Sequence, residues 1–182
     1  MNGTIIDELA IPEGITISLD NGIFTIKGPK GEIRKDLSYP TVMFEIEGTN
    51  ILFLINKKKT QREKKLSHTF KARLKNYFRG VQNPHTYKLK VCSGHFPMSI
   101  NVKGKTFEVK NFIGESVPRT LKIKEGADVT VNGDEVIVTG IDLDVVSQTA
   151  ADIEKLTRRP GFDKRIFMDG IWITEKDGEA LA

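Results

Sequence analysis

The strongest constraint on this chain is that it matches itself. Sliding the sequence by 83 positions superposes Ile17 on Ile100, Phe24 on Phe107, Lys27 on Lys110, Gly31 on Gly114 and Glu32 on Glu115. With a small gap, Ser67 and Thr69 fall on Ser147 and Thr149. The order of elements repeats too. Apolar runs at 15–19 and 22–28 flank Asp20-Asn21, and runs at 41–47 and 51–56 flank Gly48-Thr49-Asn50, the turn chemistry of hairpins. After Thr60 the period lengthens, and Leu66, Phe70, Leu74, Tyr77, Phe78 and Val81 follow helical spacing. The second half has short strands around Gly104, a hairpin around Asn132-Gly133-Asp134, and a helix carrying Val146, Ala150, Ile153 and Leu156 on one face. Its start is expected near Val146–Ser147, and Pro160-Gly161 stops it. A sequence that repeats this way is expected to build one unit twice. The expected class is α+β, with two tandem homologous domains, each a small antiparallel sheet with one covering helix. They run over 1–82 and 83–160, joined at the polar, proline-containing Gln82-Asn83-Pro84-His85, with a C-terminal extension over 161–182.

At 182 residues with 38% apolar and 29% charged side chains, the chain has the composition of a folded protein. Cys92 is the only cysteine, which excludes an intramolecular disulfide and suits a reducing compartment. The N-terminal residues lack the basic-then-apolar order of a signal peptide, and no run reaches the ~18 apolar residues that span a bilayer. The expected location is the cytoplasm, away from membranes.

The net charge of +4 is mild, but its distribution is not. From Lys57 to Arg79 there are ten basic residues (Lys57, Lys58, Lys59, Arg62, Lys64, Lys65, Lys71, Arg73, Lys75 and Arg79) against the single acid Glu63, a segment of +9. Lys64, Lys71 and Lys75 fall nearly in line on the helical wheel, away from the apolar stripe. A second cluster, Lys155, Arg158, Arg159, Lys164 and Arg165, closes the second helix, with Phe167 and Trp172 following. Acids such as Glu125, Asp128, Asp134, Glu135, Asp142 and Asp144 collect elsewhere. Clustered cations neutralise phosphates and gain affinity from counterion release. Aromatic rings beside them suit the bases of irregular RNA.

The chemistry of catalysis is missing from the pattern. There is no P-loop, no G-x-G-x-x-G, no H-E-x-x-H and no paired Cys or His at metal spacing. Gly28-Pro29-Lys30-Gly31 lies between strands and reads as a turn, since no Gly-Lys-Ser/Thr follows it. His68, His85 and His95 are scattered, and Asp142 and Asp144 read as surface acids around Leu143. Neither an enzyme, a cofactor nor a metal is expected, nor is a small-molecule substrate.

Several segments carry a resemblance to a known family. IKGPKGE (26–32), HFP (95–97), VKNFIGE (109–115), SQTAADIE (147–154) and KRIFMDGIWI (164–173) resemble the universal sixth family of large-subunit ribosomal proteins in its archaeal and eukaryotic form. The C-terminal signature is the most specific, here Gln148, Arg165, Phe167, Asp169, Gly170 and Ile171. Trp172 stands where the family usually has Tyr, Ser147 where Gly is usual and Asp152 where Asn is usual.

The resemblance implies a structural constituent of the large subunit. It would bind rRNA near the sarcin–ricin loop and stalk base, with neighbouring large-subunit proteins as partners and translational GTPases nearby. It also implies that the second domain makes most rRNA contacts, although raw charge favours the first. The expected contact group is therefore Lys155, Arg158, Arg159, Lys164 and Arg165 with Phe167 and Trp172, and more weakly Lys88, Lys90, Lys103 and Lys105. In the tail, 175–182 is expected to be solvated. RIFMDGIWI is expected to fold back as a short extended segment beside the second domain, with apolar Ile166, Met168 and Ile171, presenting Lys164 and Arg165 to RNA, and with Phe167 and Trp172 largely buried there or against RNA. The competing readings are a free-standing RNA-binding module outside the ribosome, or a small RNA-modifying or nucleotide-binding enzyme.

Overall fold

A strand keeps its place when one face is buried, and the first half of the chain offers six such strands. The computed structural model describes residues 4–55, 60–163 and 165–181. Lys57, Lys58, Lys59 and Lys164, all named above as cations of interest, lie outside them. The chain divides into two compact units, Met1–Pro84 and His85–Ala182.

The first unit runs β1 (Thr4–Ala10), β2 (Thr16–Asp20), β3 (Ile23–Gly28), β4 (Gly31–Asp36), β5 (Val42–Glu47), β6 (Asn50–Ile55) and α1 (Gln61–Gln82). The second runs β7 (His85–Cys92), β8 (Ser99–Lys103), β9 (Thr106–Lys110), a 3-10 turn (Phe112–Gly114), β10 (Arg119–Lys122), β11 (Asp128–Asn132), β12 (Glu135–Gly140) and α2 (Leu143–Leu156). It closes with β13 (Gly170–Lys176) and β14 (Glu179–Ala180).

Each unit holds two antiparallel sheets, not the single one expected. In the first unit these are β2-β3-β4 and β1-β6-β5. In the second they are β8-β9-β10 and β7-β12-β11, the latter extended beyond β7 by β13-β14. The two orders correspond strand for strand. Even the register repeats: Leu19 faces Phe24 in one unit, and Val102 faces Phe107, 83 positions on, in the other. Phe24 and Phe107 are both completely buried. The second sheet of each unit depends on β1 or β7, strands that precede the repeat as read from the sequence. TIIDELA buries only Leu9 and bulges between Ile5 and Asp7, so it carries no clean alternation. Its partner β6 makes it a strand.

The helix in each unit closes the gap between the two sheets. α1 touches β3 and β4 of one sheet and β1 and β5 of the other. Its stripe buries Phe70, Leu74, Tyr77, Phe78 and Val81, with Phe70 edge-on to Phe44 at 5.5 Å between ring centres. Phe44 in turn meets Phe24 at 5.0 Å and Phe53 at 5.5 Å, both near perpendicular, the favoured aromatic arrangement. A capping box starts the helix: the Thr60 hydroxyl accepts from the Arg62 N–H, while the Glu63 carboxylate accepts from both the backbone and hydroxyl of Thr60. α2 begins three residues before the expected Val146. Asp142 accepts from the Asp144 N–H at 3.0 Å and sets the start there. Asp142 is thus a helix cap, not half of a carboxylate pair.

The turn Gly28-Pro29-Lys30-Gly31 packs on the end of α1. A Cβ at Gly28 would lie 2.7 Å from Val81 Cγ2 and 2.8 Å from the Val81 carbonyl oxygen, and the Lys30 N–H donates to that oxygen at 3.0 Å. Gly28 is therefore required by close approach, and the loop's amides serve the helix.

The tail is more ordered than the short extended segment expected of it. β13 pairs along β7, from Gly170 opposite Cys92 to Lys176 opposite Tyr87, so residues 170–176 form an interior strand of the second unit. Ile171 is fully buried among Leu89, Val136, Val138 and Ile153. Ile166 and Met168 are instead 65% and 63% exposed, because the chain turns there before reaching the sheet. β14 pairs with Glu175 and Lys176, so 175–180 is also structured, by strand pairing that its polar sequence does not advertise.

Two stability predictions follow from this packing. Gly28→Ala should cost about 1–3 kcal/mol through overpacking against Val81, read from urea denaturation, whereas Gly94→Ala, with open space around it, should not. Ile171→Ala should cost roughly 2–5 kcal/mol, with Ile166→Ala within about 0.5 kcal/mol of the parent. Equal effects for the two isoleucines would mean that β13 is not part of the core.

Candidate nucleic-acid interface

A helix ends with carbonyls that need partners. At the end of α2 they are served by a side chain from another strand. Arg119, the first residue of β10, donates from Nη1 to the carbonyls of Leu156 at 2.7 Å and Arg158 at 3.3 Å. Its Nε and Nη2 hold both carboxylate oxygens of Glu115, at 2.7 and 2.6 Å, and its guanidinium lies 4.4 Å from the centre of the Phe112 ring. The Arg119 hydrogen bond holds the Glu115 carboxyl below its ordinary range against the effect of burial, with Arg159 adding to it. Thr157 ties the same corner to the tail. Its hydroxyl donates to the Glu154 carbonyl at 3.2 Å and accepts from the Ile171 N–H at 2.9 Å. The backbone that carries Arg158 and Arg159 is fixed from both sides.

An aromatic shelf adjoins it. Phe167 lies over the His95 ring at 4.8 Å and 31°, and edge-on to Phe162 at 4.9 Å and 82°. The Arg159 guanidinium sits 4.5 Å from the Phe162 ring centre and 4.0 Å from Glu115. Asp169 anchors the shelf from beneath: its carboxylate accepts from the His95 N–H at 2.9 Å and meets the ring Nδ1 at 2.6 Å. Burial works to raise the Asp169 carboxyl, but those two bonds bring it below its usual range. The Trp172 indole donates to the Met168 carbonyl at 3.0 Å, bracing the turn before β13. The cleft between Phe112, Phe162, Phe167 and Trp172 measures about 20 Å³, room for a single water, so this is a surface and not a ligand pocket. Phe162, 36% exposed, offers an apolar face beside the Arg159 guanidinium, and Phe96 is 43% exposed. Rigid aromatic faces next to Arg are what unstacked bases and phosphates require.

The expected contact residues do not all arrive here. Arg158, Arg159 and Phe167 gather at this corner, with Trp172 behind them. Phe167 and Trp172 are half-buried, less than expected, because one face of the shelf stays open. Lys155 is exposed in the last turn of α2. Arg165 is exposed but chelates Asp163, with Nη2 to Oδ2 at 2.7 Å. Lys88 is bonded to Glu175 at 2.7 Å, Lys103 to Glu108 at 3.4 Å and Lys105 to Glu125 at 2.9 Å, which leaves Lys90 as the exposed, unpaired lysine among those four. Charge counting overlooked Arg119, Phe162 and the His95–Asp169 pair. HFP and Asp169 stand in family-like motifs, but nothing local in the sequence joins two residues 74 apart. Among the described residues, no group of three or more His, Cys, Asp or Glu could hold a metal, and no helix is long and apolar enough to cross a membrane.

Known proteins agree with this architecture. A family model described as "Ribosomal protein L6" matches residues 11–83 and again 96–170, one match in each unit. The chain is 41% identical over 169 residues to the "Large ribosomal subunit protein uL6" of Methanosarcina mazei, covering 92% of this chain and 95% of that one. Proteins of the same description from Methanospirillum hungatei and Saccharolobus solfataricus are 38% identical over 172 residues, covering 92% and 94% of this chain and 95% and 94% of theirs. These are ribosomal proteins and not enzymes. A domain match in both halves, together with identity near 40% along almost the whole length, makes this chain a member of the ribosomal protein L6 family.

Proposed function

We propose that the protein is a structural constituent of the large ribosomal subunit that binds its rRNA mainly through the second unit. The observation that carries this reading is the surface at the end of α2. There Arg158 and Arg159 project from backbone pinned by Arg119 and Thr157, beside the His95–Phe167–Phe162 shelf. Guanidinium groups carried on a fixed backbone meet phosphates with less ordering cost, and open ring faces take splayed bases. Members of the family named as large-subunit proteins support the placement in that particle. The finer placement is near the sarcin–ricin loop and stalk base, with neighbouring large-subunit proteins as partners and translational GTPases close by. It rests on the signature Gln148, Arg165, Phe167, Asp169, Gly170 and Ile171. Such a protein works in the cytoplasm.

Arg158→Ala with Arg159→Ala should weaken binding to large-subunit rRNA and lower the log–log salt slope by roughly 1.4–1.8, at 0.7–0.9 per lost phosphate contact. The parent chain should co-sediment with large subunits at physiological salt. Binding to isolated RNA without co-sedimentation would favour a free-standing RNA-binding module. Asp169→Asn should weaken rRNA binding at an unchanged salt slope, since it disturbs the His95–Phe167 stack and removes no phosphate contact.

A further inference from the structure

The most basic segment of the chain has no part in the surface just described. α1 belongs to the first unit, and its one acid, Glu63, is buried in the capping box. Of its cations, Lys71 is consumed internally, bonded to Asp7 of β1 at 2.6 Å and only 27% exposed. Burial works to raise the Asp7 carboxyl, but the Lys71 hydrogen bond, the Glu8 N–H and the charges of Lys71 and His68 together hold it below its ordinary range. Lys71 therefore cannot stand in line with Lys64 and Lys75 as a free basic row. Lys65, Arg73 and Lys75 are different. They are exposed and, among the described residues, have no ion-pair or hydrogen-bond partner for their side chains. Arg62, whose guanidinium donates to the Tyr39 hydroxyl at 3.2 Å, and Arg79 are exposed on the same side. At about 100° per residue, these five cations fall within an arc of about 160°. At 1.5 Å per residue, Lys65 and Arg79 are about 21 Å apart along the axis.

The contrast with the second unit gives this face its meaning. There, Lys88, Lys103, Lys105 and Arg165 are each paired to a carboxylate within 3.4 Å, as a solvated protein surface usually is. Along α1, Lys65, Arg73 and Lys75 have no carboxylate beside them among the described residues, and the repulsion they feel from neighbouring cations costs stability unless an outside anion relieves it.

We propose that the outer face of α1 is a second RNA-binding surface, which lies against the phosphate backbone of an RNA double helix. The chemistry of the face selects that occupant. Besides the cations, its exposed residues are Gln61, His68, Thr69 and Ala72; it carries no exposed Phe, Tyr or Trp on which a single-stranded base could stack, and its imidazole, His68, lies 3.4 Å from the Asp7 carboxylate. It also lacks the apolar and aromatic centre that a protein interface would bury. A broad face of point charges, about 21 Å long from Lys65 to Arg79, fits a duplex backbone, read by shape and charge.

The test uses the full chain and a loop-free RNA duplex of about 20 base pairs, with binding measured across a salt series. The variant Lys65→Gln, Arg73→Gln, Lys75→Gln changes exposed positions to another good helix former. It should lower the log–log slope by roughly 2–2.7, at 0.7–0.9 per lost contact. The exchange variant Lys65→Arg, Arg73→Lys, Lys75→Arg should keep the parent slope. Arg158→Ala with Arg159→Ala should leave duplex binding nearly unchanged while weakening binding to large-subunit rRNA, which separates this surface from that of the second unit. An unchanged slope in the glutamine variant would overturn the proposal and leave the face as solvated surface. Polyglutamate competing as well per charge as the duplex would overturn it too, in favour of an acidic protein partner.

Discussion

The structure rests on burying one apolar helix stripe between two small sheets, twice. Units of this size cannot close a core with sheets alone, since each small sheet leaves a face open. In the first unit Leu74, Tyr77, Phe78 and Val81 fill the gap, and Gly28 lets the β3–β4 turn come down onto Val81. In the second unit Val146, Ala150 and Ile153 do the same on a shorter helix. Phe24 and Phe107 sit at equivalent registers and are equally buried, so the self-match of the sequence is a record of shared packing.

Shortening the helix is what creates the candidate site. α2 ends at Leu156, and the chain then crosses its own C-terminal carbonyls to reach β13. Arg119 and Thr157 satisfy those groups, and the same bonds immobilise Arg158 and Arg159. β13 also completes a side of the sheet for which the first unit has no equivalent strand among the described residues. The duplicated fold thus diverges at one corner, and the aromatic shelf is built on that divergence.

Charge counted along the chain and charge available in space are different quantities. The net of +4 conceals cations already spent on internal carboxylates, such as Lys71 on Asp7 and Lys88 on Glu175. It also conceals cations without partners among the described residues, such as Lys65 and Lys75 on α1 and Arg158 beyond α2. Ranking residues by charge density would weigh all of these alike. Their ability to meet phosphate depends on which of them already have a carboxylate within bonding distance.

Much of this was legible in the residues. The duplication, the two helices and their apolar stripes, most hairpins and the family signature follow from periodicity and turn chemistry, which are local properties. The helix face of Phe70, Leu74 and Val81 repeats at a spacing that one helix must bury. Strands β1 and β10 were not legible, nor were the pairing of β13 with β7, the second sheet of each unit, the His95–Asp169 pair and the capping role of Arg119. TIIDELA and GIWITEK become strands because β6 and β7 offer them hydrogen bonds, and Asp169 finds His95 from 74 positions away. Pairing across such distances depends on which edge is open when the chain returns to it. The sequence by itself determined a twice-built α+β chain of a known family. Only the tertiary structure decided which cations remain free and which strand the tail pairs with, because both are settled by partners remote along the chain.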